Sequence, residues 1–276
     1  MERGDLFDAF FGGATPRLWW PISSHYDGEG RLDRDRFAAH AGELTPYVGG
    51  FLAPGSTGEG WEMDDDEAME LVDLLREVLD AHNRLLLIGV LRTGRGEAAE
   101  AARRIADRYG FDGTPGSLKK KGLCGITVTA TTGADLPQEV IREELASIIE
   151  VGLPTALYQL PQITENRISP PTAAKLAQEY PNFYLFKDTG GEYRVALDSH
   201  MAADVFLVRG AEGSYYRWLR AAGGPYHGFL LSTANCFADE LSRIIESTDG
   251  GKLDRAKQLT DRLTGVVEGA FAAVES

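Results

Sequence analysis

A lysine ends an apolar run at Phe183-Tyr184-Leu185-Phe186-Lys187, and Asp188-Thr189-Gly190-Gly191 follow it. Large apolar residues that lead into a glycine pair predict a buried strand running into a loop. An ammonium group at such a strand end loses water, which favours the neutral, nucleophilic amine near neutral pH. The alternative is a lysine whose aliphatic chain packs at the strand end while its head stays in water. Lys187 is therefore a candidate nucleophile.

Two further sets of polar residues lie at the ends of predicted strands. The segment Gly55-Ser56-Thr57-Gly58-Glu59 follows the second strand, and its hydroxyls and exposed backbone N–H groups suit a carboxylate. Glycines also mark ordinary tight turns, and that alternative stays open for this motif alone. Tyr158 ends the fifth strand as Lys187 ends the sixth. Neighbouring strands would bring these two side chains within reach of each other.

Short apolar runs alternate with longer amphipathic ones along nearly the whole chain. The predicted strands are Arg17–Ile22, Val48–Ala53, Leu85–Val90, Cys124–Thr129, Thr155–Tyr158, Phe183–Lys187, Val205–Val208 and Tyr226–Leu231. The predicted helices are Asp64–His82, Arg95–Tyr109, Pro137–Val151, Pro171–Tyr180, Ser214–Ala222, Asn235–Ser247 and Lys252–Val274. The stretch Asp112–Lys121, which holds glycine, proline and three lysines, is predicted to be a surface loop.

This alternation predicts a single α/β domain over residues 1–276, a (β/α)8 TIM barrel with C-terminal helices from about residue 235 onward. A doubly wound sheet is disfavoured because no Gly-x-Gly-x-x-Gly motif follows the first strand and the strand count reaches eight. In a TIM barrel, chemistry gathers at the carboxyl ends of the strands. Lys187, Tyr158 and the Gly55–Glu59 segment all fall there.

Composition excludes several classes of function. The formal net charge of −14 over 276 residues argues against nucleic acid and anionic membranes as partners. Two isolated cysteines and five histidines without paired ligand spacing predict neither a redox motif nor a metal site. The charged N-terminus and the absence of a long apolar stretch predict a soluble, cytoplasmic protein.

Four motifs in order carry a family resemblance. They are Gly-Ser-Thr-Gly-Glu at 55–59, Tyr-Gln-Leu-Pro at 158–161, Phe-Lys-Asp-Thr-Gly-Gly at 186–191 and Ser-Thr-Ala-Asn at 232–235. With them the chain resembles the dihydrodipicolinate synthase and N-acetylneuraminate lyase family of pyruvate-dependent class I aldolases, from about Arg17 to beyond Asn235.

The resemblance implies catalytic roles for Lys187, Tyr158 and Ser56. Lys187 would form a Schiff base with the ketone of pyruvate or another 2-oxo acid, so that the covalent imine replaces an external cofactor. Tyr158 would move protons to and from the carbinolamine and the substrate hydroxyl, and Ser56 would link Tyr158 into a proton relay. Ser56 and Thr57, beside Gly55, would hold the pyruvate carboxylate. The implied partners are a 2-oxo acid and an aldehyde, in a homotetramer or homodimer.

The branch of the family depends on the remaining substrate-binding positions. Synthases of the family carry an Arg five residues after the tyrosine, to bind the carboxylate of the second substrate, and this chain has Ile163 there. A hydrophobic residue resembles the lyase branch, as do Ser56, Thr189, and Glu212 with Ser232. These last three could hydrogen-bond to a polyol chain, with Gly210 beside them. For Glu212 and Ser232, plain solvation of a loop and a strand end is the alternative.

One segment departs from both branches. After the fourth strand the family has a proline followed by aromatic residues, one of which enters a neighbouring subunit's site. This chain has Thr129-Ala130-Thr131-Thr132-Gly133. The relay through that aromatic residue is therefore missing or rebuilt, with Thr131 or Thr132 as candidates.

The leading hypothesis is an enzyme, a lyase that reversibly cleaves a hydroxylated 2-oxo acid to pyruvate and an aldehyde. A dehydratase or hydratase-aldolase acting on a 2-oxo sugar acid by the same imine chemistry is second, and dihydrodipicolinate synthesis is third, because of Ile163. A non-catalytic ligand-binding member of the family is the alternative of a different class. Retention of Tyr158, Ser56 and Thr57 with Lys187 argues against it.

Overall fold

Eight parallel strands close into a barrel in chain order, with β1 pairing with β8. The computed structural model describes residues 2–201 and 204–274. The strands are β1 Leu18–Pro21, β2 Gly50–Ala53, β3 Leu86–Val90, β4 Leu123–Thr129, β5 Thr155–Gln159, β6 Phe183–Asp188, β7 Phe206–Arg209 and β8 Gly228–Leu230. The prediction of a TIM barrel is confirmed, and all eight predicted strands are present with shifts of a few residues at their ends.

Helices surround the barrel and extend beyond its last strand. They are α1 Arg3–Phe11, α2 Arg34–Leu44, α3 Asp65–Asp80, α4 Glu97–Tyr109, α5 Pro115–Lys119, α6 Gln138–Ile149, α7 Pro161–Thr164, α8 Pro170–Glu179, α9 Arg194–Leu197, α10 Ala234–Asp249 and α11 Leu253–Val274. None of the helices in the described ranges is long and apolar enough to cross a membrane.

The start of α3 shows how local sequence sets these helices. Asp64 accepts hydrogen bonds from the backbone N–H groups of Asp66 and Glu67, and the Glu67 side chain accepts one from the Asp64 N–H. This capping box satisfies backbone donors that have no partner inside the helix. The apolar residues of α3 then recur on one face and are buried against the barrel.

Two predicted elements are wrong. The predicted loop Asp112–Lys121 contains the short helix α5, which has Pro115 at its first turn, where a missing N–H costs nothing. The predicted helix Ser214–Ala222 is instead two 3₁₀ turns, Tyr215–Trp218 and Arg220–Ala222. Buried Leu219 lies between them in an extended conformation, because it forms a parallel bridge with Tyr226.

Two strands contain an extra residue relative to their neighbours. The register between β3 and β4 shifts at Cys124, and the register between β5 and β6 shifts at Tyr184. The Tyr184 hydroxyl, fully buried, donates a hydrogen bond to the Cys124 carbonyl at 3.0 Å. The two bulges are therefore tied together inside the barrel wall.

Candidate active site

Lys187 and Tyr158 lie side by side at the carboxyl ends of β6 and β5. They are direct partners in the strand register, so both side chains point to the same side of the sheet. The Lys187 Nζ lies 3.9 Å from the centre of the Tyr158 ring. Only 6% of Lys187 and 5% of Tyr158 are exposed. The structure thus brings together the two residues that the sequence predicted to be neighbours.

The Tyr158 phenol has a lowered pKa although it is buried. Burial alone would raise the pKa, but the nearby Lys187 charge and the polar side chains of Thr189, Lys187 and Ser56 around the phenol outweigh it. A phenol with a lowered pKa is easier to ionise, which is what a group that takes up and returns protons requires.

Space beside the Lys187 amine depends on Gly210, which follows β7. A Cβ atom at Gly210 would lie 3.1 Å from two side-chain atoms of Thr189 and 3.2 Å from the Lys187 Cε. The Thr189 Oγ1 is buried and makes no well-formed hydrogen bond within the described residues. Gly210 and Thr189 therefore border the amine directly, with a hydroxyl that a ligand oxygen can engage.

The Gly55–Glu59 segment forms a compact turn at the end of β2. A 3₁₀ turn spans Ser56–Gly58, and the N–H groups of Gly58 and Gly60 both donate to the Gly55 carbonyl, at 3.1 and 3.0 Å. A Cβ at Gly58 would lie 2.5 Å from the Ile22 carbonyl oxygen, so only glycine fits there. The turn holds Ser56 close enough to act on the Tyr158 phenol, and Thr57 follows it in the same turn.

Glu212 and Ser232 meet above β7 and β8. The Glu212 carboxylate accepts hydrogen bonds from the Tyr215 hydroxyl at 2.9 Å, and from the Ser232 hydroxyl and the Thr233 N–H at 3.3 Å each. The two predicted residues are thus joined into one polar cluster, which also fixes the loop after β8.

A buried brace next to Lys187 was missed in the sequence. The Asp188 carboxylate accepts hydrogen bonds from the Tyr226 hydroxyl at 2.8 Å and from the Gly190 N–H at 2.9 Å. Burial raises the Asp188 pKa, against the effect of these bonds and of the Arg167 and Arg209 charges. Tyr226 lies 38 residues away in sequence. The only sign of this contact in the sequence is therefore an aspartate at the end of an apolar strand.

Comparison with known proteins decides the family. A model of the dihydrodipicolinate synthetase family matches residues 118–275, more than half of the chain. The chain belongs to that family. The 4-hydroxy-tetrahydrodipicolinate synthase of Rhizobium meliloti (strain 1021) is similar to this chain at 26% identity over 264 residues, which cover 95% of this chain and 83% of that protein.

Two solved structures of the same fold show how far the likeness extends. YagE, a prophage protein of the dihydrodipicolinic acid synthase family from E. coli K12, solved in complex with pyruvate, superimposes with a TM-score of 0.76. The two chains are 18% identical over 92% of this chain and 82% of YagE. CdNal from Clostridium difficile, solved with mannosamine, also has a TM-score of 0.76, at 17% identity over 94% of this chain and 84% of CdNal. The predictions of the family and of an enzyme within it are confirmed.

Ile163 is the residue for which the resemblance implies an arginine in synthases. It lies on the short helix α7 and is 40% exposed. The neighbouring Gln162 side chain donates to the Thr189 carbonyl at 3.3 Å, which ties α7 to the loop after Lys187. Ile163 is therefore an exposed apolar side chain on a helix that is tied to the loop after Lys187.

The segment after β4 lacks a route for the expected relay. The Thr131 hydroxyl is buried and donates to the Thr93 carbonyl at 2.7 Å, while Thr132 is exposed. Thr129, which pairs with Tyr158 in register, instead has a buried Oγ1 without a hydrogen-bond partner in the described part of the chain. No group of three His, Cys, Asp or Glu side chains among residues 2–201 and 204–274 is arranged to hold a metal ion.

Proposed function

We propose that this protein is a Schiff-base lyase that reversibly cleaves a hydroxylated 2-oxo acid to pyruvate and an aldehyde. The observation that carries the proposal is the pairing of buried Lys187 with Tyr158, whose ring centre is 3.9 Å from the amine. A buried amine next to a phenol that ionises readily supplies a nucleophile and a proton carrier in one place. The structure of YagE in complex with pyruvate supports pyruvate as the ketone.

The proposed reaction begins with attack of the neutral Lys187 amine on the substrate ketone. The resulting carbinolamine loses water, with protons supplied through Tyr158, to give a protonated imine. Tyr158 then takes the proton of the C4 hydroxyl, the C3–C4 bond breaks, and the aldehyde leaves while the electron pair forms an enamine. Protonation of the enamine at C3 and addition of water release pyruvate and restore the amine.

Ser56 and Thr57 are proposed to hold the carboxylate of the 2-oxo acid. Both come from the tight turn after β2, whose backbone is fixed by the two bonds to the Gly55 carbonyl. A rigid carboxylate site orients the ketone over the amine, and orientation of this kind contributes roughly 7 kcal/mol or more to lowering the barrier in favourable cases.

An uncharged, hydroxylated aldehyde is proposed for the other half of the substrate. Exposed Ile163 offers no charge to a second carboxylate, and the Glu212–Ser232 cluster presents an acidic and a hydroxyl group to sugar-type hydroxyls. Thr189 adds a buried hydroxyl beside the amine. This combination supports the lyase over a synthase.

The test is covalent trapping. Incubation with pyruvate and borohydride, followed by intact mass and peptide mapping, is expected to yield one reduced adduct on Lys187. Lys187→Met should form none, whereas Lys175→Met, at an exposed lysine of α8, should react like the wild type. Tyr158→Phe should keep the adduct but lose turnover by ~10²–10⁴-fold. Wild-type protein without an adduct would refute the imine enzyme and favour the non-catalytic alternative.

Dihydrodipicolinate-type synthesis is the second candidate, favoured by the name of the Rhizobium relative. A panel of aldehydes with and without a carboxylate, scored for pyruvate-dependent addition, separates the two. The lyase predicts faster addition to polyhydroxylated aldehydes, and Ile163→Arg should shift the preference toward carboxylated ones. Preference of the wild type for a carboxylated aldehyde would favour the synthase instead.

A further inference from the structure

Trp61 contacts the proposed site through one directed hydrogen bond. Its indole N–H donates to the Ser56 Oγ at 2.9 Å. An indole nitrogen is only a donor, whereas a serine hydroxyl has one proton to give and two lone pairs to accept with. Ser56 must therefore accept in this contact, and its own proton remains free for another partner.

The turn after β2 fixes this contact. Glu59 adopts a left-handed conformation with φ of 57°, and the Glu62 N–H donates to the Glu59 carbonyl at 2.9 Å. A Cβ at Gly60 would lie 2.6 Å from the Leu91 Cδ1 and 2.8 Å from the Pro54 Cβ. The chain thus reverses immediately after the 3₁₀ turn, and the residue that follows Gly60 is brought back over Ser56.

The proposed acceptor of the Ser56 proton is the Tyr158 oxygen. Ser56 is one of the polar groups near Tyr158 that lower the pKa of its phenol. The threonine that could compete after β4 is engaged elsewhere, since the Thr131 hydroxyl donates to the Thr93 carbonyl.

We propose that Trp61 is a positioning residue, whose N–H occupies the acceptor side of the Ser56 hydroxyl and so directs the Ser56 proton to Tyr158. The inference rests on the proposed lyase function. Because an indole cannot take up a proton, the chain Tyr158–Ser56 ends at Trp61. Protons then exchange with the substrate or with water at the barrel mouth.

A double-mutant cycle tests this assignment. Trp61→Phe keeps an aromatic ring and removes the N–H. It should lower kcat about 3- to 10-fold, the size expected for one net hydrogen bond, and move the limb of the kcat–pH profile that reports Tyr158 to higher pH. In a Ser56→Ala background the same change should alter kcat less than about twofold, because the two residues act as one unit.

A matched control uses another tryptophan. The Trp19 indole donates to the Pro16 carbonyl, also at 2.9 Å, at the opposite end of β1 from the mouth. Trp19→Phe should leave the pH profile unchanged. Equal losses from Trp61→Phe in both backgrounds, or an unshifted pH profile, would overturn the inference.

Two further measurements separate this inference from its alternatives. Should Trp61→Phe unfold, benzothienylalanine at position 61 replaces only the N–H by sulfur and must give the same pH shift. Borohydride trapping with pyruvate should label Lys187 in Trp61→Phe as fully as in wild type. Normal trapping in Trp61→Phe with no change in its kinetics refutes only the positioning role of Trp61. Failure of trapping in the wild type refutes the lyase proposal itself.

Discussion

The two ends of β6 differ in how their buried polar groups are hydrogen-bonded. At the first residue, the Phe183 carbonyl accepts from Arg3, a buried guanidinium that also binds the carbonyls of Ala177 and Tyr180 at the end of α8. At the other end, the Lys187 amine lies against a tyrosine ring, and the Thr189 Oγ1 has no well-formed bond within the described residues.

This difference separates stability from function along one strand. Arg3 donates hydrogen bonds to carbonyls at the end of α8, so its contacts stabilise the folded state. The Thr189 hydroxyl at the mouth is buried without a hydrogen-bond partner within the described residues, which is typical of groups that await a ligand. Substitutions at the two ends should therefore affect different measurements.

The largest effect is expected at Lys187. Lys187→Met keeps the side-chain length and removes the nucleophile, so turnover should fall by at least ~10⁴-fold. The midpoint of thermal unfolding should stay the same or rise, because a buried polar amine is replaced by an apolar group. Steady-state rates and calorimetry on the same preparation check both. A destabilised Met variant would contradict the division between the two ends.

Arg3→Ala should give the opposite result. It removes the hydrogen bonds to the carbonyls of Phe183, Ala177 and Tyr180 and the ion pair with Asp204, and should lower the free energy of unfolding by about 3 kcal/mol. Turnover per folded molecule should not change. Arg103→Ala, on the exposed face of α4, is the control and should stay within ~0.5 kcal/mol of wild type in denaturant titrations.

His227 makes the amino end of the barrel sensitive to acid. Its Nδ1 accepts from the Leu207 N–H at 2.9 Å, and burial, with the Arg220 and Arg17 charges, lowers its pKa to about 4. The unfolded state, with a pKa near 6.5, binds a proton first. Stability should therefore fall by on the order of 2 kcal/mol as the pH drops from about 6.5 to 4.

The matched variant is His227→Asn, whose side-chain oxygen can accept the same bond without titrating in this range. Unfolding free energies measured at several pH values should lose much of this slope in the variant. An identical slope in both proteins would assign the acid sensitivity to other groups.

The smallest effect is expected at Gly210. Gly210→Ala places a Cβ within 3.2 Å of the Lys187 Cε and displaces the amine by a few tenths of an ångström. Turnover should fall about tenfold through misorientation of the nucleophile, while the thermal midpoint changes little. An unchanged rate with slower borohydride trapping would place the effect on imine formation rather than on a later step.

The barrel could be predicted from sequence because parallel strands are buried on both faces and leave near-continuous apolar runs. The same rule located Lys187 and Tyr158, since a polar residue that ends such a run stands out. Helix α2 was missed although Phe37, Ala41 and Leu44 lie at helical spacing after the N-cap Asp33. The 3₁₀ turns of 215–222 depend on Leu219 pairing with Tyr226, a contact that no local pattern records.

The rest of the site could not be predicted because it depends on contacts between segments that are distant in sequence. The Asp188–Tyr226 brace and the Glu212–Ser232 cluster each join residues from different strand ends. Trp61 lies near Ser56 in sequence, but only the reversal at Gly60 gives its N–H a direction. The roles of the site residues, the domain limits, the subunit number and the cytoplasmic location stay predictions.

The bulge at Tyr184 has a consequence for the catalytic amine. Before the bulge Phe183 pairs with Thr155, and after it Leu185 pairs with Ala156. The one additional residue therefore sets which face of the strand each later side chain of β6 points to. Side chains alternate between the two faces of a strand. Deleting Tyr184 would remove this extra residue and let Leu185 to Lys187 keep their partners in β5, so the amine would still face Tyr158 while the hydrogen bond from the Tyr184 hydroxyl to the Cys124 carbonyl is lost.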